Sequence, residues 1–319
     1  MKIIKLTHPY DPNQIPEQDV VMTLGFFDGV HLGHQKVIRC AREEADKRHL
    51  PLALLTFNQH PKIVYQNIKL DEYKYLSTNQ RKAELAKELG VDFLYFVDYT
   101  FAFGSQLPEE FVDNYLIGLH TKVAVAGFDY TYGKKDIANM KTLPIHAANR
   151  FDVIEVEQLS HNKHKIATTH IKELLENGNV DQANIELGYI YEVYGTVIHG
   201  EKVGRTLGFP TANIQLPHPQ LVPGIGVYAV EIKVRGKWYQ GSASIGNNIT
   251  FYDNADLTVE VYILDYKEMI YGEKVRVRWH HYLRGEEKFD SLDELIEQLH
   301  RDEENTRQYF NRMSGEMDG

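Results

Sequence analysis

The apolar and polar positions follow two different rhythms along the chain. Up to about residue 186, short apolar runs alternate with segments of helical periodicity. The strand-like runs cover 20–24, 52–57, 93–97, 123–128 and 154–159, and the helix-like segments cover 35–47, 80–89, 108–119 and 169–176. This alternation predicts a parallel sheet covered on both faces, whose ligands bind beyond the carboxyl ends of the strands.

From about residue 187 the pattern changes to period two. Three runs, 227–234, 257–264 and 274–279, place apolar side chains at every second position, and Arg235-Gly236 is typical of a hairpin turn. An amphipathic helix follows at 291–310. This half therefore predicts an antiparallel barrel or sandwich with a C-terminal helix. We place the boundary so that the domains are 1–186 and 187–319.

Composition narrows the class of protein. The chain has 319 residues and a formal net charge of −10, which disfavours general nucleic-acid binding but leaves small phosphate ligands open. It contains no run of 18 apolar residues, its first residues lack a signal-peptide pattern, and Cys40 is its single cysteine. We expect a cytoplasmic protein without a membrane or nucleic-acid partner. The sequence does not indicate which oligomeric state the protein has.

A glycine-rich turn with two histidines joins the first strand to the first helix, where residues 25–34 read GFFDGVHLGH. Such a turn presents free backbone N–H groups to phosphate at a helix N-terminus. The side chains of His31 and His34 add donors that face the same point. The His-x-Gly-His pattern resembles that of nucleotidyltransferases, which join a nucleotide to an acceptor and release pyrophosphate. Asp28 fits a functional carboxylate and an N-cap or turn carboxylate equally well.

A second motif lies in the other half, where residues 204–213 read GRTLGFPTAN. This run closely resembles the signature of riboflavin kinases. Combined with the His-x-Gly-His domain in this order, it makes the whole chain resemble the bacterial bifunctional riboflavin kinase / FAD synthetase family. The resemblance implies a Rossmann-like α/β nucleotidyltransferase domain followed by a mainly β Greek-key barrel with a C-terminal helix. It also implies ATP, FMN and riboflavin as substrates and Mg²⁺ as cofactor.

In this family the first domain transfers AMP from ATP to FMN and releases pyrophosphate. The FMN phosphate is already an ionised nucleophile, so the reaction needs positioning and charge stabilisation and no general base. His31 and His34 would donate to the ATP phosphates. The other nucleotide or phosphate contacts implied by the resemblance are Gly25, Phe26, Gly29, Gly33, Asp129, Thr168 and Thr169.

Other positions of the first half leave alternatives open. His60 belongs to a family His-Pro pair, and a flavin or phosphate contact and a structural loop explain it equally well. Lys134 and Lys135 fit either phosphate binding or plain solvation. His170 and Lys172 stand where the family has arginines, so charge stabilisation there is expected to be weaker or pH-dependent.

The family's second domain transfers the ATP γ-phosphoryl group to the riboflavin 5′-hydroxyl. The matching general base is Glu260, on the strand face opposite Val259 and Val261. Thr211 and Asn213 would hold Mg²⁺ and phosphates, because hard cations prefer oxygen ligands. The remaining residues implied are the glycines of a phosphate loop and a flavin contact, namely Gly200, Gly204, Gly208 and Arg284.

One departure from the family motif affects the kinase half. Asn248-Ile249 replaces a usual Arg-Pro pair, which removes a cation and a rigid turn. A second hypothesis is therefore an FMN adenylyltransferase with a weak or silent kinase. A third is a flavin- or nucleotide-binding regulatory protein without useful catalysis, although the retained histidines and Glu260 disfavour it.

Overall fold

The computed structural model describes residues 1–66, 68, 72–161, 164–200, 207–216, 219–247 and 257–317. Gly204 and the Asn248-Ile249 pair lie outside these ranges, so their predicted roles stay predictions. Contacts between residues divide the chain into two units, Met1–Thr168 and Thr169–Gly319.

The first unit contains a six-stranded sheet in which all strand pairs are parallel. In chain order its strands are β1 (Lys2–Leu6), β2 (Val20–Leu24), β3 (Leu52–Phe57), β4 (Phe93–Val97), β5 (Thr121–Gly127) and β6 (Asp152–Val156). Their order across the sheet is β1-β4-β3-β2-β5-β6. Every residue of β2 and β3 is buried, which is why both strands are continuous apolar runs in the sequence. The predicted parallel sheet is confirmed.

The connections of this unit are helical. Its helices are α1 (Leu32–Arg48), α2 (Pro61–Tyr65), α3 (Asn79–Glu88), α4 (Phe101–Gly104), α5 (Pro108–Phe111) and α6 (Leu143–Ala147). A π-helical segment, Val112–Ile117, continues α5, where the sequence predicts one α-helix over 108–119. The strand predicted at 154–159 is β6, which begins two residues earlier and ends three residues earlier. Two short strands, β7 (Ser160–His161) and β8 (His164–Lys165), form a hairpin.

The second unit is built around a closed antiparallel barrel. Two helices precede the barrel, α7 (Thr168–Glu176) and α8 (Val180–Leu187), and one follows it, α9 (Leu292–Met317). In chain order the barrel strands are β9 (Tyr191–Ile198), β10 (Thr211–Gln215), β11 (Gly226–Val234), β12 (Lys237–Asn247), β13 (Leu257–Ile263) and β14 (Lys274–Arg284). The order around the barrel is β10-β13-β12-β11-β14-β9, so the structure has a barrel and not a sandwich. The predicted hairpin is confirmed, because Arg235 and Gly236 join β11 to β12 with φ of 47° and 87°.

The helices before the barrel belong with it. The Asn184 amide donates to the carbonyl of Trp279 at 2.8 Å and accepts from the N–H of Tyr191 at 2.7 Å. The N–H of Gly224 donates to the carbonyl of Leu175, at the end of α7. These bonds fasten α7 and α8 to β9, β14 and the segment before β11. The contacts between residues thus divide the chain at 168/169, before these two helices. The boundary predicted at 186/187, after them, remains a prediction.

Candidate active sites

The turn after β2 has a strained backbone. Phe27, Gly29 and Val30 have positive φ of 52°, 75° and 40°. Positive φ is accessible to glycine, but it is unfavourable for an aromatic residue and more so for a β-branched residue. Such a conformation persists only where its surroundings fix it.

The segment before α3 fixes this turn. The Asp28 carboxylate, 2% exposed, accepts from the N–H groups of Leu76 and Ser77 at 2.9 and 3.1 Å. The Ser77 hydroxyl in turn accepts from the N–H of Gly29 at 3.0 Å. Asp28 is thus a turn carboxylate bonded to a distant segment, and it is not the N-cap of α1.

His31 is that N-cap. Its Nδ1 accepts from the N–H of His34 at 3.3 Å, and the two rings stack with centroids 3.6 Å apart. An imidazole that accepts through Nδ1 carries its proton on Nε2 while neutral, so His31 has an N–H to offer a phosphate. This cap explains why α1 begins at Leu32, before the predicted residue 35.

Burial keeps both histidines neutral. It lowers the pKa of His31 to about 4, against an opposing effect of the Asp129 carboxylate. It also lowers the pKa of His34 well below its usual range, and the adjacent His31 and the positive charges of Lys82 and Lys165 act in the same direction. At neutral pH the pair therefore supplies neutral hydrogen-bond donors beside the strained turn.

Asp129 lies at the same edge of the sheet, directly after β5. Its carboxylate pairs with the Lys165 ammonium at 2.6 Å, and that ammonium lies 4.9 Å from the centre of the Phe128 ring. Both charges act on the pKa of His31. The carbonyl of Ile166 lies 3.7 Å from the point where a Cβ on Gly33 would be. The predicted residues His31, Gly33, His34 and Asp129 are therefore brought together, with the segment that leads into Thr168.

Thr168 and Thr169 are the first residues of the chain's seventh helix, as the sequence predicts. His170, which stands in the place of a family arginine, lies 3.3 Å from the Glu186 carboxylate. Its imidazole is thus beside an acidic group of α8. The side chains of Lys134 and Lys135 are exposed, which agrees with plain solvation.

His60 lies in an aromatic group beside the turn. It caps α2 by accepting through Nδ1 from the N–H of Lys62 at 3.1 Å. Its ring stacks on Tyr73 with centroids 4.7 Å apart and meets the Phe26 ring edge-on at 5.0 Å. The structural role as a cap is therefore observed, and the predicted flavin contact stays a prediction.

Lys82 is a further residue at this edge, and the sequence analysis missed it. Its side chain is buried, with a residue exposure of 2%, and its ammonium donates to the carbonyl of Phe26 at 2.8 Å. A signal for it was present, because Lys82 precedes Ala86 by four residues and so falls on the apolar stripe of the predicted helix. A lysine on the buried face of a helix needs a partner inside the protein.

The second unit places the three predicted kinase residues together. The register of β10 against β13 sets Asn213 opposite Glu260, and the Thr211 hydroxyl donates to the Glu260 carboxylate at 2.8 Å. Glu260 is half-buried on the face opposite Val259 and Val261, as predicted. The sequence analysis does not predict β10, the strand that carries Thr211 and Asn213.

Two of the predicted glycines, Gly200 and Gly208, lie in the described part of the second unit. A Cβ on Gly200 would lie 2.2 Å from the side-chain amide of Asn213, so only glycine permits this close approach. Gly208 has a φ of 89° and therefore also favours glycine.

Arg284 is bonded to the C-terminal helix. Its guanidinium donates to both oxygens of Asp302, at 2.8 and 2.7 Å, and to the carbonyl of Gly285. Asp302 is 3% exposed and also accepts from the Gln298 amide. The pair fastens α9 to the end of β14, while the flavin contact predicted for Arg284 stays a prediction.

The chain thus carries two kinds of site. Stacked histidines in a strained turn of a parallel sheet are typical of a nucleotidyltransferase unit, and hydroxyl, amide and carboxylate groups on adjacent barrel strands are typical of a kinase unit. Residues 13–170 match the FAD synthetase family, and residues 187–310 match the riboflavin kinase family. The chain is 47% identical to the bifunctional riboflavin kinase/FMN adenylyltransferase of Listeria monocytogenes over 98% of this chain and 99% of that protein. It is 41% identical to the Bacillus subtilis protein of the same name, over 98% and 99%.

The chain belongs to the bifunctional riboflavin kinase/FMN adenylyltransferase family, with both a FAD synthetase and a riboflavin kinase domain. The same architecture occurs in a crystal structure from Streptococcus pneumoniae titled a macrolide-efflux protein, with a TM-score of 0.89, 37% identity, and coverage of 96% of this chain and 99% of that one. No helix in the described part of this chain is long and apolar enough to cross a membrane.

Proposed function

We propose that the first unit transfers AMP from ATP to FMN and that the second phosphorylates riboflavin, so that one chain converts riboflavin to FAD. The proposal is carried by the stacked pair His31 and His34 beside the strained turn, in a chain that retains both domains of its family.

For adenylyl transfer, a phosphate oxygen of FMN attacks the α-phosphorus of ATP as the bond to the β-phosphate oxygen breaks. Negative charge grows on the α-phosphate and on the leaving pyrophosphate. The N–H groups of the turn and the imidazole donors of His31 and His34 stabilise this charge without reorganising. The nucleophile carries no proton to be removed, so the low pKa values of the histidines suit donation and not base catalysis.

For phosphorylation, the 5′-hydroxyl oxygen of riboflavin attacks the γ-phosphorus of ATP, its proton passes to Glu260, and ADP leaves. The hydrogen bond from Thr211 orients the carboxylate that receives the proton. Asn213, directly across the strand pair, offers an amide to the phosphates. These are the parts that phosphoryl transfer requires of a protein.

Mg²⁺ fits the oxygen donors of the second unit. The described residues contain no group of three or more His, Cys, Asp or Glu side chains arranged to hold a metal. Mg²⁺ is commonly bound by one or two protein oxygens together with substrate phosphates, and Thr211 and Asn213 would supply those oxygens. The ion would neutralise charge on the transferred phosphoryl group.

The decisive experiment is chromatography of the products formed from ATP and Mg²⁺ with either flavin. FMN should give FAD and pyrophosphate in equal amounts, and riboflavin should give FMN and then FAD. If riboflavin and ATP bind but no FMN forms, the weak or silent kinase is the better hypothesis. The double change Asn248→Arg with Ile249→Pro then tests whether that pair is the cause. Binding without either product would favour the regulatory protein.

The cytoplasmic location and the restriction to small-molecule partners remain predictions. They are supported by the single Cys40 and by the net charge of −10. Fractionation of cells that produce the protein tests the first of them.

A further inference from the structure

Lys82 lies where the loops after two neighbouring strands meet. Its ammonium donates to the carbonyl of Phe26, in the turn after β2, at 2.8 Å. It also donates to the Thr56 hydroxyl at 3.2 Å and to the carbonyl of Phe57 at 3.4 Å, at the end of β3. The loop that follows Phe57 carries His60. One side chain on α3 therefore bonds to the turn after β2 and to the end of β3, where the loop carrying His60 begins.

A buried ammonium is costly to keep in a folded protein. Burial lowers the pKa of Lys82 to about 8, with the Asp28 carboxylate opposing the shift. The titratable groups that face it are Asp28, in the turn, and His34, in the first turn of α1, whose own pKa the lysine lowers. A leucine or methionine at this position would avoid the desolvation penalty. A charge that is present here despite this penalty therefore indicates a role in the site.

The contact with Phe26 sets the direction of one peptide group. In a trans peptide the N–H points opposite to the C=O, so the carbonyl turned towards Lys82 directs the N–H of Phe27 away from it. The Thr56 hydroxyl donates to the same carbonyl at 2.8 Å, and the ammonium lies 4.4 Å from the centre of the Phe26 ring. The strained turn is thus held from behind by α3 and β3 together.

We propose that Lys82 is a positioning residue for adenylyl transfer, which clamps the strained turn after β2 to the end of β3, where the loop carrying His60 begins, so that the two substrates meet in line. The inference rests on the adenylyl transfer proposed above. Lys82 acts through the backbone of Phe26 and Phe57 and needs no contact with either substrate. Relaxing such a clamp misplaces the reacting atoms and lowers the rate of the chemical step more than it weakens binding.

Lys82→Met tests the clamp, because it removes the donor and keeps an unbranched side chain. We expect kcat for FAD formation from FMN to fall at least about tenfold, roughly 1.4 kcal/mol, while KM for ATP and FMN changes less than about threefold. Riboflavin phosphorylation by the same chain should be unchanged and reports that the second unit is folded, whereas the nearly unchanged KM values report that the first unit, which holds Lys82, is folded. Lys87→Met is the matched control, since Lys87 is exposed on the same helix.

The pH profile separates a positioning charge from a merely structural one. In the unmodified enzyme, kcat for FAD formation should decline above about pH 8 as Lys82 loses its proton. Lys82→Arg keeps the charge at every pH used and should abolish this decline while retaining more activity than Lys82→Met. If the arginine variant does not fold, the lower but flat profile of Lys82→Met answers the same question.

Three results would overturn the inference. The first is wild-type kcat in Lys82→Met, and the second is an equal loss of both activities, which would make Lys82 a general structural residue. The third is an unmodified protein that makes no FAD from FMN, because the proposed function then fails and this inference fails with it. The first two results would overturn the role of Lys82 without contradicting adenylyl transfer by the unmodified protein.

Discussion

The two sites are built by different means. In the first unit the site is mainly backbone, a turn with three left-handed residues held by Asp28, Ser77 and Lys82. In the second unit it is mainly side chains on a regular strand pair, where register alone sets Asn213 opposite Glu260. A strand pair keeps its backbone register whichever side chains it carries, whereas a strained turn also depends on its partners in distant segments, here Ser77 and Lys82.

The largest expected change in activity is at the site on strands β10 and β13 of the second unit. Glu260→Gln keeps the shape of the side chain but cannot accept the hydroxyl proton, so FMN formation from riboflavin should fall by about 10²–10⁴. FAD formation from FMN should be nearly intact, measured by chromatography. Glu268→Gln is the control, since Glu268 is an exposed carboxylate paired with Arg235. Equal loss of both activities would contradict separate catalytic residues.

A smaller effect is expected at the turn-built site. His34→Ala removes one of several donors and should lower kcat/KM for FAD formation at least about tenfold, about 1.4 kcal/mol of transition-state stabilisation. His49→Asn, at the exposed C-terminal end of α1, should leave the rate unchanged. Turnover in His34→Ala equal to that of the control would rule out the assigned role.

The burial of His31 also predicts a dependence of stability on pH. His31 has its pKa lowered to about 4, so between its usual value and that value the unfolded chain binds a proton that the folded chain does not. Stability should therefore fall as the pH falls from about 6.5 towards 4, by up to about 1.4 kcal/mol per pH unit for this residue. Urea unfolding followed by circular dichroism at several pH values measures it. His31→Asn keeps a capping side chain and should show a shallower dependence; an equal slope would contradict the assignment.

The smallest change in activity is expected from separating the units. A fragment 169–319 contains nearly all of α7 and all of α8, with the Asn184 bonds to the barrel, and should phosphorylate riboflavin at the rate of the full chain. A fragment 187–319 lacks these helices and should unfold at a lower urea concentration. If the shorter fragment is as stable as the longer one, α7 and α8 are not part of the kinase unit.

The sequence predicts most of the fold because its buried strands are continuous apolar runs. Residues 20–24, 52–57 and 93–97 are strands at those bounds. The strand Thr211–Gln215 was missed for the opposite reason. Thr211 and Asn213 are polar, so the segment does not form a continuous apolar run. The residues that indicate the chemistry are thus the ones that obscure the hydrophobic pattern of their strand.

The parts of the candidate sites that lie within one short motif could be predicted from the sequence. His31, Gly33 and His34 are close in sequence, and their proximity in space follows from one turn. The partners of Asp28 lie 48 and 49 residues away, and Lys82 reaches Phe26 across 56 residues. Spacing along the chain carries no information on such bonds. The partners of Asp28 and Lys82 therefore required the structure, although the position of Lys82 on an apolar stripe indicated that it had a partner.

The closed barrel and the open sheet also differ in their exposure to self-association. The barrel strands all pair on both sides, whereas β1 and β6 each have one described neighbour in the sheet. An unpaired edge is a template for adding a strand from another molecule, and lysines on an edge strand discourage that addition. Lys2 and Lys5 are exposed on β1 and flank the partly exposed Ile3. By this rule, two exposed lysines on β1 disfavour the addition of a strand at that edge of the first unit.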